Sequence, residues 1–116
     1  MAAIVYLAQD LFFVSKIRAT ASQLGLEAER APDAEALPEA ARQARLVIVD
    51  LRLADALRAL ELLAADPATA GVRSVGFVDH ENLDLMRSAS ARGCGTVLSK
   101  RRFSSELPAL LAACRA

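Results

Sequence analysis

The sequence predicts an α/β domain with a five-stranded parallel sheet, and three observations lead to this prediction. Short apolar segments alternate five times with longer segments of helical character along the 116 residues. The clearest apolar segment, Leu46-Val47-Ile48-Val49, has the length and the β-branched content of a strand buried on both faces. Gly25 and Gly93 stand where two of the helical segments end, a position that favours glycine. Strict alternation of this kind is typical of a parallel sheet covered by helices on both faces, with right-handed crossovers.

The first half of the chain is predicted to contain two further strands and two helices. Residues 4–8 form a continuous apolar strand, and residues 11–24 form the first helix. Residues 26–30 alternate apolar and charged side chains, as a half-buried edge strand does. Asp33 precedes an alanine-rich helix that either begins at Pro38, since proline is tolerated in a first turn, or is kinked there.

The second half of the chain is predicted to contain three helices and two strands. They are a helix over residues 54–65, a strand over 72–78, a helix over 81–92, a short strand over 96–99 and a last helix over 104–115. In the last helix, Ser104 or Ser105 is expected to be the N-cap. Pro108 is then expected to lie in the first turn.

The composition excludes several classes of function. Fourteen basic and fourteen acidic side chains cancel, which argues against non-specific nucleic-acid binding. No apolar run reaches the ~18 residues that span a bilayer. Cys94 and Cys114 lack metal-ligand spacing and are expected to be buried or half-buried, and the single histidine, His80, disfavours a histidine metal site. We therefore expect a cytoplasmic domain without a nucleic-acid or membrane partner.

Polar and charged side chains follow four of the predicted strands. The first strand is followed by Gln9-Asp10, the third by Asp50, the fourth by Asp79-His80 and the fifth by Lys100. Parallel strands all end at the same edge of a sheet, so these side chains are expected to converge there. A cluster of carboxylates with a lysine suits a magnesium ion or a phosphoryl group.

With these residues, the chain resembles the receiver domain of bacterial two-component response regulators over essentially its full length. The resemblance rests on the five β/α units, on Val47-Ile48-Val49-Asp50, and on the segment from Gly93 to Lys100. It implies one flavodoxin-like domain over residues 1–116 with strand order 2-1-3-4-5. It also implies that Asp50 is the phospho-acceptor and that Lys100 contacts the phosphoryl group. Asp10 and Asp50 would be the metal ligands, with Asp79 as an alternative ligand.

The chain departs from the receiver pattern at most positions around the acceptor. Receivers have two adjacent acidic residues after the first strand, a Ser or Thr after the fourth, an aromatic residue in the fifth, a proline after the lysine, and a proline and a glycine in the loop after the acceptor. The corresponding residues here are Ala8-Gln9-Asp10, Asp79, Val97, Arg101 and the loop Leu51-Arg52-Leu53-Ala54-Asp55. Each ~1.4 kcal/mol of lost transition-state stabilisation slows a reaction tenfold, so lost metal ligands are costly.

We therefore predict a stand-alone pseudo-receiver that is not an enzyme, that signals through protein–protein contacts, and in which phosphorylation-driven switching is lost or much reduced. It needs no cofactor, and magnesium is expected only if phosphorylation is retained. The alternative is a working single-domain response regulator, phosphorylated on Asp50 by a histidine kinase, with magnesium bound by Asp10 and Asp79. A flavodoxin-like enzyme is disfavoured because the turns lack Gly-rich phosphate-binding loops.

Each of these residues also has a purely structural alternative. Asp10 fits an N-cap of the first helix as well as a metal ligand. Asp79 fits an N-cap of the fourth helix, His80 a surface or capping residue, and Asp50 a simple polar residue before the third helix. Lys100 is either an exposed lysine at a strand end or, as we expect, points toward Asp50.

Two surface features are candidate partner contacts. One of the neighbours Phe12 and Phe13 should face the core, and an exposed Phe12 would be a contact for a partner. The basic run that contains Arg101, Arg102 and Phe103 is either a partner surface or a solvated loop. In receivers, the fourth helix, fifth strand and last helix form the usual partner face, so a homodimer, a histidine kinase or an output protein is the expected partner.

Overall fold

Five parallel strands form one sheet in the order β2-β1-β3-β4-β5 in the computed structural model, which describes residues 2–115. The strands are β1 (Ile4–Leu7), β2 (Ala28–Arg30), β3 (Leu46–Asp50), β4 (Arg73–Val78) and β5 (Thr96–Ser99). This architecture confirms the predicted fold class and the strand order that the resemblance implied. The expected domain of residues 1–116 begins and ends on residues that lie outside the described ones.

Five helices cover the two faces of the sheet. They are α1 (Leu11–Gln23), α2 (Leu37–Ala41), α3 (Ala56–Ala65), α4 (Leu83–Ala91) and α5 (Lys100–Ala112). Helices α1 and α5 pack on one face, and α2, α3 and α4 pack on the other. None of the helices in the described part of the chain is long and apolar enough to cross a membrane.

The central strand β3 is buried on both faces, as its apolar run predicted. Its residues alternate between the two layers, because successive side chains of a strand point to opposite faces. Leu46 and Ile48 pack against the α1–α5 layer, whereas Val47 and Val49 pack against the α2–α4 layer. The strand therefore anchors the residue that ends it, Asp50, in the middle of the sheet.

The glycines predicted to end two helices do so. Gly25 follows α1 with φ 70° and Gly93 follows α4 with φ 95°, a backbone conformation that residues with a side chain rarely adopt. Pro38 lies in the first turn of α2, which confirms the tolerated position and not the kink.

Two predicted helix starts are wrong. Helix α4 begins after Asn82, whose Oδ1 accepts a hydrogen bond from the Leu85 amide at 3.2 Å, so Asp79 is not its N-cap. Helix α5 begins at Lys100, directly after the strand, because Ser99 Oγ accepts from the Arg102 amide at 3.2 Å. The basic run is therefore the first turn of α5 and not a loop, and Pro108 lies inside the helix.

Candidate functional site at the carboxyl edge of the sheet

Asp50 is the last residue of β3 and only 2% of it is exposed. Its backbone is in register with Phe77 on β4, and β1 lies on the other side of β3. The acceptor predicted from the resemblance is thus a carboxylate held in the centre of the sheet edge. Burial of a carboxylate is costly unless hydrogen bonds compensate for the lost water.

Arg52 supplies these hydrogen bonds. Its Nε donates to Asp50 Oδ1 at 2.9 Å and its Nη2 donates to Asp50 Oδ2 at 2.7 Å, a two-pronged arginine–carboxylate pair. The Arg52 backbone amide also donates to Asp50 Oδ1 at 3.0 Å. The turn after β3 folds the arginine back over the strand end, so that both oxygens of Asp50 are engaged by one residue.

The same guanidinium reaches a second carboxylate. Arg52 Nη2 lies 3.2 Å from Asp10 Oδ2, while Asp10 Oδ1 accepts from the Phe12 amide at 2.9 Å. Asp10 is therefore the N-cap of α1, as one of the two predictions for it stated, and also an ion-pair partner of Arg52. Desolvation alone would raise the pKa of Asp10, but the hydrogen bond from Arg52 and those from the backbone of Phe12 and Phe13 lower it overall.

Arg52 is also packed against aromatic rings. Its guanidinium carbon lies 5.4 Å from the centroid of the Phe13 ring and 5.7 Å from that of Phe77. Both distances are within the range of a cation–π interaction. The hydrogen bond to Asp50 is the largest cause of a raised pKa of Arg52, so this side chain remains a cation.

Lys100 is paired with Asp79 and not with Asp50. Its Nζ lies 2.7 Å from Asp79 Oδ1, with both side chains partly exposed. The hydrogen bond from Lys100 is the largest cause of a lowered pKa of Asp79. The expectation that Lys100 points toward Asp50 is therefore wrong in this structure, because Asp79 is available at the end of the neighbouring strand and Asp50 is already bound by Arg52.

The carboxylates expected to bind magnesium are engaged by side chains of the chain itself. Within residues 2–115, no group of three or more His, Cys, Asp or Glu side chains is arranged to hold a metal. Asp10 and Asp50, the expected ligands, bind the guanidinium of Arg52, and Asp79, the alternative ligand, binds Lys100. Three carboxylates are thus held by two internal cations, and no step through a metal follows from this geometry.

The candidate contact residues divide into exposed and buried ones. Phe12 is 64% exposed and Phe13 is buried, as predicted, and both Arg101 and Arg102 are exposed. Phe103 is fully buried and stacks on Phe77 with a ring-centroid distance of 4.4 Å. Phe103 is therefore a core residue and not part of an interaction surface, because the early start of α5 turns it toward the sheet.

The role of Arg52 was not predicted from the sequence. Its signal was a cation two residues after the strand-end carboxylate, within the loop where receivers have a proline and a glycine. Such a residue is close enough to fold back on the carboxylate, but several conformations of the loop are compatible with the sequence. The cysteines, by contrast, are both buried as expected, and His80 is exposed beside Glu81.

Solved receiver domains share this architecture. The receiver domain of NtrX from Brucella abortus matches 96% of this chain and 96% of its own length, with a TM-score of 0.77 and 23% identity. A response regulator from Hahella chejuensis gives a TM-score of 0.80 at 16% identity, over 98% of this chain and 95% of its own. A third match is the receiver domain of the sensor histidine kinase PA1611 from Pseudomonas aeruginosa PAO1, whose structure has a magnesium ion coordinated in the active site cleft. Its TM-score is 0.79 at 18% identity, and the match covers 97% of this chain and 95% of that one.

No family model and no curated protein matches the sequence. The structural likeness nevertheless extends over nearly the whole chain. The chain therefore has the fold of the response regulator receiver domain.

Proposed function

We propose that this chain is a pseudo-receiver: a cytoplasmic signalling module that acts through protein contacts, without an enzymatic activity, a cofactor or phosphorylation-driven switching. The observation that carries the proposal is the pairing of Asp50 with Arg52. Arg52 donates three hydrogen bonds to the two oxygens of Asp50, and this carboxylate is 97% buried.

Phosphorylation makes different demands on an aspartate. One carboxylate oxygen must attack the phosphorus of the donor while the bond between phosphorus and the donor breaks, and cations must neutralise the equatorial phosphoryl oxygens. At Asp50, both oxygens already accept hydrogen bonds from Arg52, which lowers their nucleophilicity and obstructs the approach of a donor. The pairing of Asp50 with Arg52 therefore disfavours phosphorylation of Asp50.

The residues around Asp50 also lack the parts of a phosphorylation switch. The end of β4 presents Asp79, a carboxylate that would repel a phosphoryl group, where receivers offer a hydroxyl. Lys100, the residue that would bind the phosphoryl group, is already paired with Asp79. The edge is electrostatically satisfied without a phosphate, which supports a function that does not depend on one.

A module without catalysis must act through its surface. We propose signalling proteins as partners, among them a histidine kinase or an output protein, and a homodimer through α4, β5 and α5. Leu83, at the start of α4, is 54% exposed. Leu107 and Leu111 on α5 are fully buried against the sheet and do not contribute to this face. Monomer alone in size-exclusion chromatography with light scattering at high micromolar concentration would rule out the homodimer.

The decisive experiment is incubation with Mg²⁺ and beryllofluoride or a small phosphodonor, followed by intact-mass spectrometry. We expect no adduct on the wild-type chain under conditions in which a phosphorylatable receiver is fully modified. The Asp50→Asn variant is the matched control for labelling at other residues. A stable adduct on Asp50 would overturn the proposal and establish the alternative, a working single-domain response regulator.

A further inference from the structure

Arg52 connects the buried carboxylate of Asp50 to the surface at the start of α1. Its guanidinium is shared by Asp50 and Asp10 and also lies over the rings of Phe13 and Phe77. These contacts join residues from three different elements. The charge of Asp50 therefore fixes the position of a side chain that touches α1 at two points.

The first connection runs through hydrogen bonds. Arg52 Nη2 donates to Oδ2 of Asp10 at 3.2 Å, and Oδ1 of the same carboxylate accepts from the Phe12 amide at 2.9 Å. Asp10 is thus held on one side by the arginine and on the other by the backbone of Phe12. A movement of the guanidinium changes the orientation of the carboxylate that caps α1.

The second connection runs through aromatic contacts. The Phe13 ring, on which Arg52 lies, meets the ring of Phe12 edge to face with centroids 5.1 Å apart. It also packs on Phe77 at 4.6 Å, and Phe77 stacks on Phe103 of α5 at 4.4 Å. In this cluster of four rings the arginine lies over the two middle rings, Phe13 and Phe77, and the exposed Phe12 contacts the first of them.

We propose that Arg52 couples the charge of Asp50 to the exposed apolar surface formed by Leu11 and Phe12. Leu11 is 79% and Phe12 is 64% exposed, at the first turn of α1. The carboxylate of Asp50 fixes the guanidinium, and the guanidinium holds Phe12 through both connections. When Asp50 is replaced by Asn, the charge-assisted hydrogen bonds that fix the guanidinium are lost and Phe12 takes a different average position. The coupling rests on the proposed function, because it gives that surface a defined state without phosphorylation.

The test is ¹⁹F NMR of the chain with 4-fluorophenylalanine at its four phenylalanines, with the Phe12 resonance assigned through Phe12→Leu. We expect Asp50→Asn to move the Phe12 resonance by more than its linewidth. The same substitution in an Arg52→Gln background should leave it in place, because the connection is already broken. Asp79→Asn removes a charge from the same edge without a hydrogen bond to Arg52 and should not move it.

Three results would overturn the coupling: a Phe12 resonance unmoved by Asp50→Asn, a shift that persists in the Arg52→Gln background, or an equal shift in Asp79→Asn. If Asp50→Asn does not fold, Arg52→Gln against wild type tests the link from Arg52 to Phe12, because it breaks both the hydrogen-bonded and the aromatic connection. An unmoved Phe12 resonance in that variant would also overturn the coupling. A phosphoryl adduct on Asp50 would overturn the proposed function and leave these spectra to decide the coupling independently.

Discussion

The Nζ atom of Lys100 lies 2.7 Å from Oδ1 of Asp79, so the residue that follows β4 and the residue that begins α5 are bound to each other. Asp50 is bound by Arg52 at the same edge of the sheet. Both cations are thus bound to carboxylates of the chain, and Arg52 binds Asp10 as well as Asp50. The hydrogen bond from Lys100 is the largest cause of the lowered pKa of Asp79, and the charge of Arg52 makes a smaller contribution. Removal of Lys100 should therefore affect Asp79 most.

The first prediction concerns the pKa of Asp79. We expect Lys100→Met to raise this pKa toward its ordinary value of 3.8, because the hydrogen bond and charge of Lys100 lower it in the wild type. The folded-state pKa lies below the unfolded one, so the pair contributes stability above pH 3.8 and loses it as the pH falls through the folded value. Carboxyl ¹³C titration measures the pKa directly.

Lys16→Met is the matched control, because Lys16 lies on α1 and forms no ion pair among the described residues. It should leave the titration of Asp79 unchanged. A pKa of Asp79 that is the same in Lys100→Met and in the wild type would show that the contact does not persist in solution.

The second prediction concerns the coupling energy between Arg52 and Asp50. Arg52→Ala leaves a buried carboxylate without its main partner, and we expect it to lower the free energy of unfolding by about 1–3 kcal/mol. The double variant Arg52→Ala/Asp50→Asn should lose less free energy of unfolding than the two single variants together, because a buried asparagine side chain is less costly to leave unpaired than a carboxylate. Urea denaturation of the four chains gives the coupling energy.

The exposed pair Arg58–Glu35 provides a comparison for this cycle. Both of its side chains are more than half exposed, so its coupling energy should be smaller than that of the Arg52–Asp50 pair. Equal coupling energies for the two pairs would mean that the burial of Asp50 does not strengthen its interaction with Arg52.

The third prediction separates the two phenylalanines that the sequence placed on a partner surface. Phe103→Ala should lower the free energy of unfolding by about 3–5 kcal/mol, because it leaves a cavity beside Phe77 in the core. Phe12→Ala removes a mostly exposed ring and should change stability by no more than about 0.5 kcal/mol. Thermal melts of the two variants, followed by circular dichroism, make the comparison; similar losses would contradict the assignment of Phe103 to the core.

The fold could be predicted from the sequence because its signals are local. A run such as Leu46 to Val49 is long enough for a strand and too short and β-branched for a helix, and Gly25 marks a helix end by its backbone conformation. The position of Asp50 follows from the strand that precedes it. The fold class and the position of Asp50 could therefore be predicted from sequence patterns.

The pairing of charges at the sheet edge could not be predicted from the sequence. Three carboxylates and two cations can be matched in several ways, and side-chain reach and burial decide which match forms. Arg52 reaches Asp50 because the chain makes a tight turn directly after β3. Asp50 is then already bound, and Lys100 pairs with Asp79. The start of α5 was not predicted for a similar reason. A serine side chain can cap a helix at any of three positions, 99, 104 and 105, and only the geometry of the strand end selects Ser99.

The fourth prediction follows from that displaced helix start. Pro108 lies inside α5 and has no backbone N–H to donate to the Ser104 carbonyl. Its side chain is exposed, so it makes no contribution to the core. We expect Pro108→Ala to raise the free energy of unfolding by up to about 3 kcal/mol and the Tm by several degrees, because alanine restores this hydrogen bond. Pro38→Ala is the matched control, since Pro38 lies in the first turn of α2, where no helical hydrogen bond is lost. Differential scanning calorimetry of both variants tests the difference, and a Tm for Pro108→Ala at or below that of the wild type would mean that Pro108 does not destabilise α5.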